Sequence, residues 1–173
     1  MVCCSKNEMK QLSEYINEDF KLSRNTIIPK KVKTFVDLKF KIIDERYRKN
    51  PKYLDLRDID ICEITCFRWG DKYNSHTSLF ENFDKVEIID ITGWETSQVT
   101  TMERTFKGCT NLQEIKGIEN IDVSGCYSFE AMFEDCRNVT LNLYNWKVNS
   151  INSSCVSMFA GCNQNKITYW KLQ

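Results

Sequence analysis

The residues of this chain that could do chemistry are nine cysteines, a single histidine at position 76 and two closely spaced acids, Asp58 and Asp60. Thiolates and imidazoles hold zinc, a thiolate beside an imidazole is a nucleophile, and paired carboxylates serve metal or glycosidic chemistry. Spacing tests each reading. Zinc sites draw on C-x2-C pairs, and the sequence contains none; Cys62 and Cys66 have no second half and only the distant His76 for company. His76 has no Ser or Cys at the spacing of a nucleophile motif and reads as a solvated loop residue. Asp58 and Asp60 invite a metal or glycosidase reading, but sequence does not set their separation in space. Six glycines, none arranged as G-x-G-x-x-G or as a P-loop, give nucleotide binding no support. The expectation is a protein without catalytic residues, cofactor or metal, and not an enzyme.

The cysteines follow a ruler. Counting back from Cys109, Phe106 stands three residues earlier, Met102 seven, Val99 ten, Thr96 thirteen and Trp94 fifteen. Counting back from Cys136, the same offsets hold Phe133, Phe129, Cys126, Val123 and Ile121. A third unit ends at Cys162, with Phe159 and Cys155 in register and Ile151, Val148 and Trp146 displaced by one inserted residue. A degenerate first unit runs back from Phe83 through Phe80; Ile59, Ile61, Ile64 and Phe67 form its front half, and an insertion around Trp69 to His76 interrupts it. The period of roughly 26 residues lies in the range of stacked repeats. Equivalent positions then form columns: Phe106, Phe133 and Phe159 in the core, and Cys109, Cys136 and Cys162 as free thiols behaving like small hydrophobes. An odd cysteine number and the lack of an export signal point the same way, towards reduced cysteines. Cys126 and Cys155 are expected inside as well, and Cys3 and Cys4 in a disordered N-terminus.

Residues 5 to about 22 carry apolar residues at helical spacing behind a capping box, Ser5 with Glu8. Asn25 to Lys31, with Ile27, Ile28 and Pro29, reads as a short extended segment that the proline prevents from continuing as a helix. Thr34 opens a second helix through about Lys49, with Phe35, Leu38, Ile42 and Ile43 as its apolar stripe and Lys39, Lys41, Arg46, Arg48 and Lys49 mostly on the rest. From Leu54 the pattern changes to pairs of alternating apolar residues: Leu54 and Leu56, Ile89 and Ile91, Leu141 and Leu143, Ile167 and Tyr169. These predict short strands stacking into a parallel sheet. The segment IKGIENI breaks the alternation and predicts a bulge at Gly117. Runs such as SQVTTMERTFKGC predict a turn followed by about two turns of helix, with Met102 and Phe106 on one buried face.

The segments WETSQVTTMERTFKGCTNL, IDVSGCYSFEAMFEDCRNV and WKVNSINSSCVSMFAGCNQN resemble the BspA-type leucine-rich repeats, whose unit commonly reads W-D-T-S-N-V-x-x-M-x-x-M-F-x-x-C-x-x-L. The segment from Pro29 into the first strand also looks like the lead-in to such arrays in proteins of gut bacteria and their phages, so the resemblance covers residues 29 to 173. It implies an α/β repeat fold: a short leucine-rich-repeat-like solenoid with a parallel sheet, over residues 54 to 173 in about four units, behind an N-terminal helical cap at 1 to 53. It also implies attachment to other proteins, with no catalytic residues to carry over.

Formal charge is zero overall, yet residues 21 to 53 hold eleven Lys and Arg against three acids while the remainder is net acidic. That acidic remainder argues against nucleic acid as a partner. No apolar run approaches the roughly 18 residues of a membrane span. Without a secretory signal the protein as written is expected in the cytoplasm, with a virion as the alternative. The expected function is a protein-protein interaction module; the alternative is a structural or decoration subunit assembled into a phage particle. Candidate partner-binding residues are Tyr144 and Trp170, expected to point outward on adjacent strands with Asn142 and Thr168 beside them, and, in the insertion, Trp69 and Tyr73.

Overall fold

The computed structural model describes residues 33–48, 52–69, 77–149 and 153–170. The expected first helix, the extended segment at 25 to 31, Cys3, Cys4, Tyr73 and His76 lie outside them, as does the side chain of Trp69.

Helix α1 spans Phe35–Arg48. It begins where the chain caps it: Thr34 Oγ1 accepts the Asp37 N–H at 3.1 Å, and Asp37 Oδ2 accepts the Thr34 N–H at 3.1 Å. This reciprocal pair satisfies donors that a helix start leaves open. Phe35, Leu38 and Ile42 recur at helical spacing and enter the same buried cluster as the repeat residues. Lys39 departs from its expected place on the solvated side. It is 4% exposed, its ammonium donates to the carbonyl oxygens of Ser78 at 2.5 Å and Leu79 at 2.6 Å, and it lies 5.1 Å from the Phe83 ring centre. Carbonyls at the bottom of the core need donors, and α1 brings them one.

In chain order the strands are β1 (Tyr53–Asp55), β2 (Arg68–Trp69), β3 (Thr77–Ser78), β4 (Ile88–Asp90), β5 (Glu114–Lys116), β6 (Leu141–Asn142) and β7 (Ile167–Thr168). β1, β4 and β5 form a parallel sheet in that order, with Leu54, Ile89 and Ile115 as register partners pointing inward. β6 and β7 form a separate parallel pair, and β2 and β3 an antiparallel one across the insertion. The expected leucine-rich-repeat-like solenoid, with one parallel sheet behind a helical cap, is thereby corrected: the chain is a small mixed α/β structure with short, separate sheets. The break has a local cause. After β5 the chain turns at Gly117, φ +87°, into a 3-10 turn at Ile118–Asn120, in place of the expected bulge, and an isolated bridge from Glu114 to Thr140 stands where β5 would otherwise pair with β6.

Among the described residues the two turns of helix expected after each strand are also absent. In their place are β-turns with left-handed residues at repeating positions: Arg104 and Gly108, Ala131 and Asp135, Ser157 and Gly161. An α-helix satisfies its N–H groups internally; here the left-handed residues aim every second N–H at the neighbouring unit. Met102, Arg104, Phe106 and Gly108 donate to the carbonyls of Ser128, Glu130, Met132 and Glu134 at 2.8–2.9 Å. Phe129, Ala131, Phe133 and Asp135 donate likewise to Ser154, Val156, Met158 and Ala160 at 2.7–2.9 Å. Four such bonds per junction offset the strain of non-glycine residues at positive φ.

Inside this ladder the phenyl rings stack. Phe80, Phe106, Phe133 and Phe159 follow one another at centroid distances of 5.0, 5.4 and 5.7 Å, with interplanar angles of 3°, 1° and 4°. A thiol column runs beside them: the S–H groups of Cys109, Cys136 and Cys162 donate to the carbonyls of Phe80, Phe106 and Phe133 at 3.0, 3.0 and 2.9 Å. Every described cysteine is unbridged. Cys155 corrects one expectation, since it is exposed rather than inside; in its unit no further layer among the described residues covers it.

Candidate interaction face

The outer face of the β1-β4-β5 sheet carries a polar network closed on itself. The Tyr53 hydroxyl donates to Asp90 Oδ2 at 3.0 Å, the Arg57 guanidinium forks onto Asp55 at 2.8 and 2.7 Å, Arg57 Nε lies 3.6 Å from Asp90, and the Lys116 ammonium sits 5.2 Å from the Tyr53 ring centre. Burial alone would raise the Asp90 carboxyl, but bonds from Thr92 and Tyr53 and the Arg57 charge outweigh it and hold the group below the usual range. Burial and the bond to Asp90 push the Tyr53 hydroxyl up.

Side-chain caps recur after the strands. Asp55, Asp90 and Asn142 each accept the N–H two residues on, from Arg57, Thr92 and Tyr144 at 3.3, 3.1 and 3.3 Å. This turn chemistry fixes the direction of the residue that follows. In the first two units that residue is Arg57 or Thr92; in the unit of β6 it is Tyr144, whose ring is 48% exposed. Asn142 and Thr168 are exposed register partners across β6 and β7.

Trp170 is placed differently from the expectation. Its ring turns back over the core, stacking on Trp146 at 6.3 Å and 21° and lying 6.4 Å from Phe159. Alternation holds only while a strand lasts, and β7 ends at Thr168. Tyr169 is instead the exposed ring, at 43%; it meets Phe159 edge-on at 5.3 Å, and its hydroxyl donates to Gln164 Oε1. In the insertion the backbone of Trp69 pairs with Thr77. The structure thus brings Asn142, Tyr144 and Thr168 to one outer surface and takes Trp170 away from it.

Sequence reasoning passed over two further exposed apolar residues, Tyr127 and Val156. Val156 had a signal: it stands six residues before its unit's cysteine, where the two preceding units carry Glu103 and Glu130. Asp58 and Asp60 line a shallow open cleft with Arg57, Gly93 and Glu95, and Asp60 Oδ1 accepts the Cys62 N–H at 3.1 Å. Among the described residues, no group of three or more His, Cys, Asp or Glu side chains could hold a metal ion, and no helix is long and apolar enough to cross a membrane.

The buried thiols are held protonated. Burial raises the Cys126 thiol to about 12 and that of Cys162 to about 11. The hydrogen bond with Cys109, followed by burial, raises Cys136 as well. Such groups pack rather than react.

Comparison with curated proteins and with solved structures gives no match. A family model described as "Mycoplasma protein of unknown function, DUF285" matches residues 74–173, and the chain belongs to that family.

Proposed function

We propose that this protein is a non-enzymatic attachment module of the BspA-like kind, which recognises a protein partner with the outer surface of its repeated units. The family match over residues 74–173, the W-x-x-S-x-V element at Trp94 to Val99 and the M-F-x-x-C element of the units ending at Cys136 and Cys162 support the reading. The observation that carries it is Tyr144, a ring held outward by the Asn142 cap beside Asn142 and Thr168, at a place where the first two units present Arg57 and Thr92. A rigid tyrosine on a short polar surface offers large contact area at low entropic cost, which is why interfaces concentrate energy in such residues. The test is affinity capture from the native source followed by titration of the captured protein against wild type and Tyr144→Ala. Loss of an anchor of at least about 2 kcal/mol raises Kd about thirtyfold. Equal binding by the two proteins refutes this face.

A further inference from the structure

The hydrogen-bond ladder between units has an open side. Phe129, Ala131, Phe133 and Asp135 give their N–H groups to the unit ending at Cys162, and the Tyr127 carbonyl accepts the Ser154 N–H at 2.9 Å. The equivalent groups of the unit ending at Cys162 are the N–H groups of Cys155, Ser157, Phe159 and Gly161 and the carbonyl of Ser153; none has a hydrogen-bond partner among the described residues. Its own turn carbonyls are consumed internally, those of Cys155, Ser157 and Phe159 accepting from Met158, Ala160 and Cys162 at 3.1 Å each. The edge therefore offers four donors and one acceptor along residues 153–161.

The ring side of this unit is occupied while the backbone side is not. Tyr169 and Trp170 lie against Phe159, whereas Cys155, Val156 and Ser157 are exposed, Val156 at 63%. The far side of the molecule is closed in a contrasting way, by the buried Lys39 ammonium on the Ser78 and Leu79 carbonyls. These two facts select the occupant. A second copy meeting this edge with its own would set donors against donors, and on its opposite side the Lys39 ammonium already occupies the Leu79 carbonyl that the Phe159 N–H would need.

We infer that the edge at 153–161 takes up a segment of a partner polypeptide, lying parallel to it and offering carbonyl oxygens from alternate residues, as residues 154–160 do for residues 129–135. Main-chain addition of this type draws affinity from backbone hydrogen bonds and selectivity from the side chains alongside, here the exposed Val156. The inference rests on the attachment reading above and names a mode of contact for it.

The test is amide exchange by NMR on the ¹⁵N-labelled full chain, with a synthetic peptide copying residues 126–136 and serine in place of both cysteines as the probe. In the chain alone, the amides of Cys155, Ser157, Phe159 and Gly161 should exchange at least about a hundredfold faster than those of Phe129, Ala131, Phe133 and Asp135. Saturating peptide should slow the first four by about tenfold or more and leave the second four unchanged, while a scrambled peptide does neither. The inference is overturned if the four edge amides are already as protected as their counterparts, or if millimolar peptide leaves them unslowed. Repeating the measurement with a captured partner separates the two proposals. A partner lost by Tyr144→Ala that leaves the edge amides exchanging freely sinks the edge and keeps the face; a partner that protects the edge and binds Tyr144→Ala normally does the reverse.

Discussion

Replacing Phe133 by alanine removes one of the two fully buried rings of the phenyl column that have a parallel ring on both sides; its neighbours are Phe106 at 5.4 Å and Phe159 at 5.7 Å. Large-to-small changes of this kind cost about 3–5 kcal/mol when the site does not collapse. Collapse is hindered here, because main-chain bonds at 2.9 Å tie Phe106 to Met132 and Phe133 to Met158 and keep the units at fixed separation. The loss belongs in the upper half of that range, since each ring pair adds about 0.5–1.5 kcal/mol beyond area burial. Phe159→Ala loses one parallel neighbour, from a half-buried site, and should cost about half as much. Urea denaturation of the two variants gives the comparison, with Phe133→Leu as the form that stays folded if Phe133→Ala does not. A loss below about 1 kcal/mol for Phe133→Ala, or a larger loss for Phe159→Ala, would refute the stacked column as the centre of the core.

Lys39→Met, which keeps the chain length and removes the ammonium, should cost about 2–5 kcal/mol in denaturant melting because two buried carbonyls lose their donor; a neutral effect means that the carbonyls find water. Gly93 and Gly117 both sit at positive φ, but a Cβ on Gly93 meets nothing within 4 Å while one on Gly117 comes within 2.8 Å of the Thr92 backbone. Gly93→Ala should therefore cost about 1–2 kcal/mol from conformation alone and Gly117→Ala distinctly more, and equal melting of the two variants would contradict this placement. The Cys126 thiol is raised in the folded state from its ordinary 9.0 to about 12, so its stabilising contribution is complete below pH 9, declines as the unfolded chain ionises, and is lost by about pH 12. Cys126→Val, the residue its place holds in the preceding unit, should flatten the fall in urea midpoint between pH 8 and 11; an unchanged slope would assign the fall to other groups.

The core columns were legible because they rest on offsets from a repeated cysteine, and a repeated offset in stacked units means a shared environment. The inward residues Leu54, Ile89 and Leu141 could be read for the same reason. The turns were not. Met102 and Phe106 are four residues apart, which suits a helix face equally well as a turn whose left-handed residue falls on Arg104 or Ala131, side chains that carry no such signal. Lys39 was assigned to solvent by its polarity, whereas its place is decided by carbonyls at Ser78 and Leu79, some forty residues away. The sheet break at Gly117 was visible as a disturbed pattern but not as an interruption of pairing. Of the candidate face, Asn142 and Thr168 could be placed by alternation along paired strands; Tyr144 and Trp170 each lie two residues beyond a strand end, where the Asn142 turn directs the first and stacking on Trp146 governs the second.

Site-specific photo-crosslinking tests the attachment reading most directly. Tyr144 is replaced by benzoylphenylalanine in the full chain, expressed in its native source, and compared with the same replacement at the exposed Lys85 and Glu95. Irradiation should attach one discrete protein at position 144 and none, or far less, at 85 and 95. Equal labelling at all three positions, or none at 144 with a discrete product at another, would contradict an interaction face centred on Tyr144.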